Sequence, residues 1–225
     1  MPTLVNSASF YQTADVSSAF DATGANILVA GIVAAGTVNS ITYNGSAFTE
    51  QLNTSLAIDG APTVTAGFLF YTLINPTTGS NTFAVDIVGA ADPTWTVLFA
   101  LSEINTADPI AGTDTDTNTS GSTVLTVNQS KKRPSFMLAM GSVRVLSVGN
   151  CNDVDSSPSF TEFEDSQGVK GDNNAGRWAH YGTFTGSGDK TYTGSNNYNG
   201  PDRHSDIGIL LNGIGVAQNQ ILMFD

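Results

Sequence analysis

Apolar and polar residues alternate with a period of two through most of the chain, and no stretch keeps a helical period over three turns. The stretch 38–87 organises the rest. Ile41 and Tyr43 alternate with Ser40 and Thr42, which predicts a half-buried strand. Asn44-Gly45 follows at once. Both residues tolerate positive φ, so the pair predicts a two-residue hairpin with 47–52 as its returning strand. Residues 68–73 are apolar on both faces and are expected in the middle of a sheet. Asn75-Pro76-Thr77-Thr78-Gly79 ends that run, because Pro76 has no N–H for a ladder and Gly79 permits the reversal. Phe83, Val85 and Ile87 then face one way, with Thr82, Ala84 and Asp86 opposite.

Strands are expected on both sides of this unit. Residues 3–12 predict an edge strand, and 26–34 are apolar on both faces and central. Asp92-Pro93 turns the chain into 94–104, where Trp95, Val97, Phe99 and Leu101 share one face, which places Trp95 in the core. Residues 108–121 read as a long polar loop, 122–127 and 136–145 as strands, and 159–164 as a less regular one. Residues 177–184 and 190–193 pair around Gly186-Ser187-Gly188-Asp189, and 205–212 closes the fold with Ile207, Ile209 and Leu211 on one face. About twelve short strands with turn signals between them predict one all-β domain over 1–213, an antiparallel β-sandwich of jelly-roll type with almost no helix. No internal repeat stands out. Residues 214–225 follow as an apolar tail.

Composition narrows the partners. Of the 225 residues 40% are hydrophobic and only 12% charged, against about a quarter in ordinary domains. Gly, Ser, Thr and Asn take the presumed surface, as in extracellular β proteins and virion surface proteins. With a net charge of −12, the chain is poorly suited to neutralise a duplex carrying one negative charge per roughly 1.7 Å. Nucleic acid and anionic membrane are therefore excluded as expected partners. The one basic run, Lys131-Lys132-Arg133, reads as a solvent-facing loop before a strand. A single cysteine, Cys151, permits no internal disulfide and reads as a loop thiol. The start Met-Pro-Thr-Leu-Val-Asn-Ser has neither the basic nor the apolar part of a signal peptide, and no apolar run approaches membrane-spanning length. The expectation is a protein made in a host cytoplasm without an export signal.

Candidate chemistry is sparse. Asp114, Asp116 and Asn118 stand at alternate positions, a spacing with which calcium loops wrap a hard cation. Thr119 stands where such a loop needs Gly, and Leu125 where it needs Glu, so the bland reading is a solvated polar loop with no cofactor. His180 and His204 are the only histidines. His204, between Asp202 and Asp206 at a strand start, reads as exposed, and no Gly-x-Ser-x-Gly elbow accompanies either histidine. Among the glutamates, Glu162 and Glu164 share a strand face next to Phe160 and Phe163, an ordinary edge-strand pattern rather than the paired acids of a glycosidase. No enzymatic activity is expected. Trp178, Tyr181 and Tyr198 lie near Asn, Gly and Asp and are the candidates for stacking on sugar rings.

The order of segments carries a resemblance. Residues 26–34, the Tyr43-Asn44-Gly45 hairpin with Phe48-Thr49, the run 68–74 ending in Asn75-Pro76, Thr78-Gly79 with Phe83-Ala84-Val85, and 99–104 ending near Asp108-Pro109 together resemble a jelly-roll module of tailed-phage virion proteins. The module also occurs in some bacterial surface proteins. The similar part spans 26–212, and its motifs are structural. The resemblance implies a module that decorates, attaches or binds at a surface. The expected function is a phage virion structural protein, first a capsid decoration or cement protein contacting the major capsid protein. The alternative is a tail-fibre or receptor-binding module holding host glycan. Ile221, Leu222, Met223 and Phe224 would be costly to leave in water, so the tail is expected either to fold back or to dock on a neighbouring subunit in a homo-oligomer.

Overall fold

A strand that is apolar on both faces needs a sheet on each side, and this requirement builds the molecule. The computed structural model describes residues 1–12, 15–34, 36–58, 65–89, 94–118, 122–144, 160–166, 175–195 and 204–215. In the first half, β1 (Thr3–Gln12), β3 (Ile27–Ala34), β6 (Thr49–Ala57), β7 (Thr65–Ile74) and β9 (Thr94–Ser102) form a five-stranded antiparallel sheet in the order β1-β9-β3-β7-β6. β2 (Val16–Asp21), β4 (Thr37–Tyr43), β5 (Ser46–Ala47) and β8 (Ser80–Val88) form a four-stranded sheet in the order β2-β8-β4-β5. The chain winds between the two sheets in jelly-roll fashion. In the second half, β10 (Ile110–Asn118), β12 (Ser135–Arg144), β13 (Phe160–Ser166), β14 (Ala175–Phe184) and β16 (His204–Asn212) form another five-stranded sheet in the order β10-β16-β12-β14-β13. β11 (Ser122–Gln129) and β15 (Gly188–Ser195) form a two-stranded ribbon. No helix occurs among the described residues.

Three cores join four layers. Phe20, Tyr43 and Phe83 of the four-stranded sheet pack on Leu28, Ile32 and Leu98. The opposite face of the same large sheet, with Val29, Phe70 and Phe99, packs on Phe136, Leu138 and Ile209 of the second large sheet. That sheet's far face, with Met137, Ala139 and Leu210, lies under Leu125, Val127 and Tyr192 of the ribbon. β3 and β9 are therefore buried on both faces, which explains their near-continuous apolar sequence. Polar contacts add to the central joint: Ser205 Oγ donates to the Ala57 carbonyl at 2.7 Å, and the Arg177 guanidinium lies 4.5 Å from the Tyr11 ring centre.

The two halves repeat one topology. The order β1-β9-β3-β7-β6 becomes β10-β16-β12-β14-β13, and the pair β2–β8 becomes β11–β15. Registers agree as well. Ile27 stands opposite Leu101 and Ile74, and Phe136 opposite Leu211 and Thr183. One irregularity lies between Leu4 and Asn6 in β1 and between Ile110 and Gly112 in β10; another lies between Glu50 and Leu52 in β6 and between Glu162 and Glu164 in β13. Residues 66–86 align with 175–195 without a gap, matching Ala66-Gly67 to Ala175-Gly176 and Gly79 to Gly188, both at positive φ. Phe48-Thr49-Glu50 recurs as Phe160-Thr161-Glu162. This corrects the expectation of no internal repeat. Alternating and two-faced apolar strands occur throughout both halves, so hydrophobic pattern does not mark the duplication, which is kept in register and bulges. Residues 145–159, the chain-order counterpart of β4 and β5, lie outside the described residues.

Two further expectations are corrected. The hairpin at Asn44-Gly45 forms, with φ of 49° and 77°, but its returning strand stops at Ala47 and the chain crosses to the other sheet as β6. The loop expected at 108–121 is largely strand β10, which pairs with β16 along its length.

Candidate functional site

One set of polar residues of the second half collects on the sheet face beneath the ribbon. β10, β16, β12 and β14 place Asp116, Asp206, Gly141 and Trp178 side by side in register. Gly141 has no side chain between its neighbours, so the Trp178 indole reaches across and its Nε1–H donates to Asp206 Oδ1 at 2.6 Å. The other carboxyl oxygen bonds the Thr123 hydroxyl of β11. Burial pushes Asp206 up to about 7; the Thr123 and Trp178 bonds pull against that rise and the Asp116 charge adds to it. When protonated, Asp206 can donate to Thr123 Oγ while still accepting from the indole, so the neutral acid satisfies the same two bonds.

Both histidines lie in this layer. Nδ1 of His180 is 3.0 Å from the Tyr192 hydroxyl of β15, and His204 stands edge-on to Trp178 with ring centres 6.1 Å apart. Burial lowers both histidines to about 4, with Asp116 partly offsetting the effect at His204. At the rim, Asp114 and Asp116 tie β10 to β11. Their Oδ2 atoms accept from the backbone N–H groups of Thr126 and Val124 at 2.6 and 2.7 Å. Each Oδ1 accepts from the next residue's N–H, Thr115 at 2.9 Å and Thr117 at 2.8 Å. The Asn118 amide nitrogen donates to the Ser122 carbonyl at 2.7 Å. These side chains join two strands that share no ladder.

The counterpart positions in the first half are Thr96 for Asp206, Thr94 for His204, Leu69 for Trp178, Tyr71 for His180, and Ala8 and Phe10 for Asp114 and Asp116. The first half thus joins its outer layer mainly with apolar side chains, and the second half with a polar cluster.

Several sequence expectations change here. Trp178 is 1% exposed, so its ring face is not open to a sugar. Tyr181 lies three residues along the same strand and points to the other face, where it stacks on Phe136 at 5.5 Å in the central core. The two rings therefore form no common surface. Tyr198, Cys151, Ile221, Leu222, Met223 and Phe224 lie outside the described residues. His204, expected to be exposed, is 2% exposed, on the same face of β16 as Asp206 and edge-on to the Trp178 ring. Asp114, Asp116 and Asn118 sit on a strand and bond backbone groups, in place of the solvated polar loop expected there, with the calcium loop as its weaker candidate. Among the described residues no group of three or more His, Cys, Asp or Glu is placed to hold a metal ion. Trp95 is buried as expected.

Asp206 and Thr123 escaped the sequence reading. A signal was present: Asp206 shares its strand face with His204, Gly208 and Leu210, opposite the apolar Ile207, Ile209 and Leu211, so a mixed polar face stood on a closing strand. Compared with family models, curated proteins and solved structures, the chain matches none.

Proposed function

We propose that the protein is a non-enzymatic phage virion structural protein, a decoration or cement protein on the outer surface of the capsid. The supporting observation is how the polar side chains beneath and beside the ribbon are used. Asp114, Asp116, Thr123, Trp178, His180 and Asp206 bond between layers of the fold, the role of girders rather than of an open reaction centre. The resemblance of the segment order to phage jelly-roll modules points the same way. In this reading the partners are the major capsid protein and further copies of the chain, and Ile221, Leu222, Met223 and Phe224 supply an apolar docking segment. Immunogold labelling of intact particles tests the proposal. Label over the head supports it; label confined to the tail would replace it with the receptor-binding reading, in which exposed aromatic residues such as Tyr198 would carry glycan contacts.

A further inference from the structure

We propose that the β11–β15 ribbon is an acid-released layer, held closed by the neutral imidazoles of His180 and His204 beneath it. The chain has two histidines, and both lie under this one layer, on β14 and β16, at 1% and 2% exposure. His180 meets the ribbon directly through Tyr192. His204 Nε2 is buried with no hydrogen-bond partner among the described residues. Protonating either ring puts a cation where water cannot solvate it, and lifting the ribbon removes that cost.

The surrounding charges do not cancel it. β10 presents Asp114 and Asp116, whose carboxylates are held by backbone N–H groups of β11. β16 presents Asp206, bonded to Thr123 of β11 and Trp178 of β14. β12 presents Gly141 and β15 presents Gly194 at this point. Lys190 of β15 donates to the Thr185 and Ser187 carbonyls at 3.2 and 3.4 Å. On β13, Glu162 stands opposite His180 in the ladder and is exposed, and Asp165 stands opposite Trp178 in register. The four-stranded sheet on the other side of the molecule is the built-in comparison, since Tyr71 and Thr94 replace the histidines there and do not titrate in mild acid.

Proton counting fixes the direction. The two histidines sit near 4 when covered and return towards 6.5 when uncovered, so their contribution to closure is complete above 6.5 and is lost as pH falls. Asp206 works the other way: it sits near 7 when covered and returns towards 3.8 when uncovered, so its contribution is complete in acid and is lost as pH rises through about 7. Between 6.5 and 4 opening takes up two protons at the histidines and gives up one at Asp206. The opening equilibrium therefore rises about tenfold per pH unit on acidification.

Amide hydrogen exchange of the full chain between pH 4 and 7.5, corrected for intrinsic exchange rates, tests this. β11 and β15 are expected to lose protection by about tenfold per pH unit below 6.5 while β2 and β8 keep theirs. In the His180→Gln/His204→Gln double variant the sign reverses, because Asp206 alone then tightens the ribbon in acid. In Asp206→Asn the loss steepens to about a hundredfold per unit. Equal responses of the two strand pairs in the native protein, or ribbon protection that does not fall in acid, overturn the proposal even where a variant fails to fold.

Discussion

Trp178 Nε1 donates to Asp206 Oδ1 at 2.6 Å, between two side chains that are both buried and lie one strand apart across Gly141. Among the described residues the indole is one of two groups bonded to this buried carboxyl. Trp178→Phe keeps most of the ring and removes that donor, leaving part of the acid unpaired. The expected loss is roughly 1–3 kcal/mol of unfolding free energy at pH 7, read by urea denaturation.

Gly141 makes that bond possible. A Cβ there would stand 2.0 Å from Asp206 Oδ1 and 2.5 Å from the Trp178 ring. Gly141→Ala is expected to cost on the order of 3 kcal/mol or to prevent folding, whereas an alanine at Gly45, where nothing lies within 4 Å, meets only backbone strain of about 1 kcal/mol. Thermal melts of the two variants side by side make the comparison.

Asp206→Asn should change stability in a pH-dependent way. The acid's folded value lies near 7 and its ordinary value at 3.8, so the native protein loses stability as pH rises through that window. The amide carries no such cost. The variant is expected to gain on the order of 4 kcal/mol relative to the native protein at pH 8, and to show no gain at pH 4. Denaturation curves at the two pH values check the sign.

The central core belongs to both halves: Phe99 packs against Phe136 at 6.4 Å and Tyr181 at 6.0 Å between ring centres. Phe99→Ala should therefore cost roughly 3–5 kcal/mol and shift a single unfolding transition. Two separated transitions in calorimetry would mean that the halves unfold independently.

Strand identity was legible in the sequence wherever one face alternates, as at Phe83, Val85 and Ile87, or where both faces are apolar, as in β3. Turn chemistry was legible too: Asn44-Gly45 and Gly79 adopt the positive-φ backbone their residues predict. Stacking was not legible. Alternation says which residues share a face and not what covers it, so Trp178 and His204 read as exposed although both are buried on the sheet face that the β11–β15 ribbon packs against. β10 was missed because, after Ile110 and Ala111, Asp and Thr alternate there without apolar residues; its aspartates are used to bond β11 backbone groups, a role that depends on register. The duplication was missed for a related reason, since bulge positions and strand order repeat where residue identity mostly does not.

The tail makes a separate prediction. Truncation after Gly213 removes Ile221, Leu222, Met223 and Phe224 and is expected to lower binding to particles while leaving the melting temperature of the monomer unchanged. A fall in melting temperature would show that the tail packs on its own chain.

The central claim is that this chain coats a capsid, and its most direct test is the number of copies per purified particle, measured by quantitative mass spectrometry against the major capsid protein. Copies in the hundreds are expected, in fixed ratio to the shell protein. A handful of copies, or none, would contradict it.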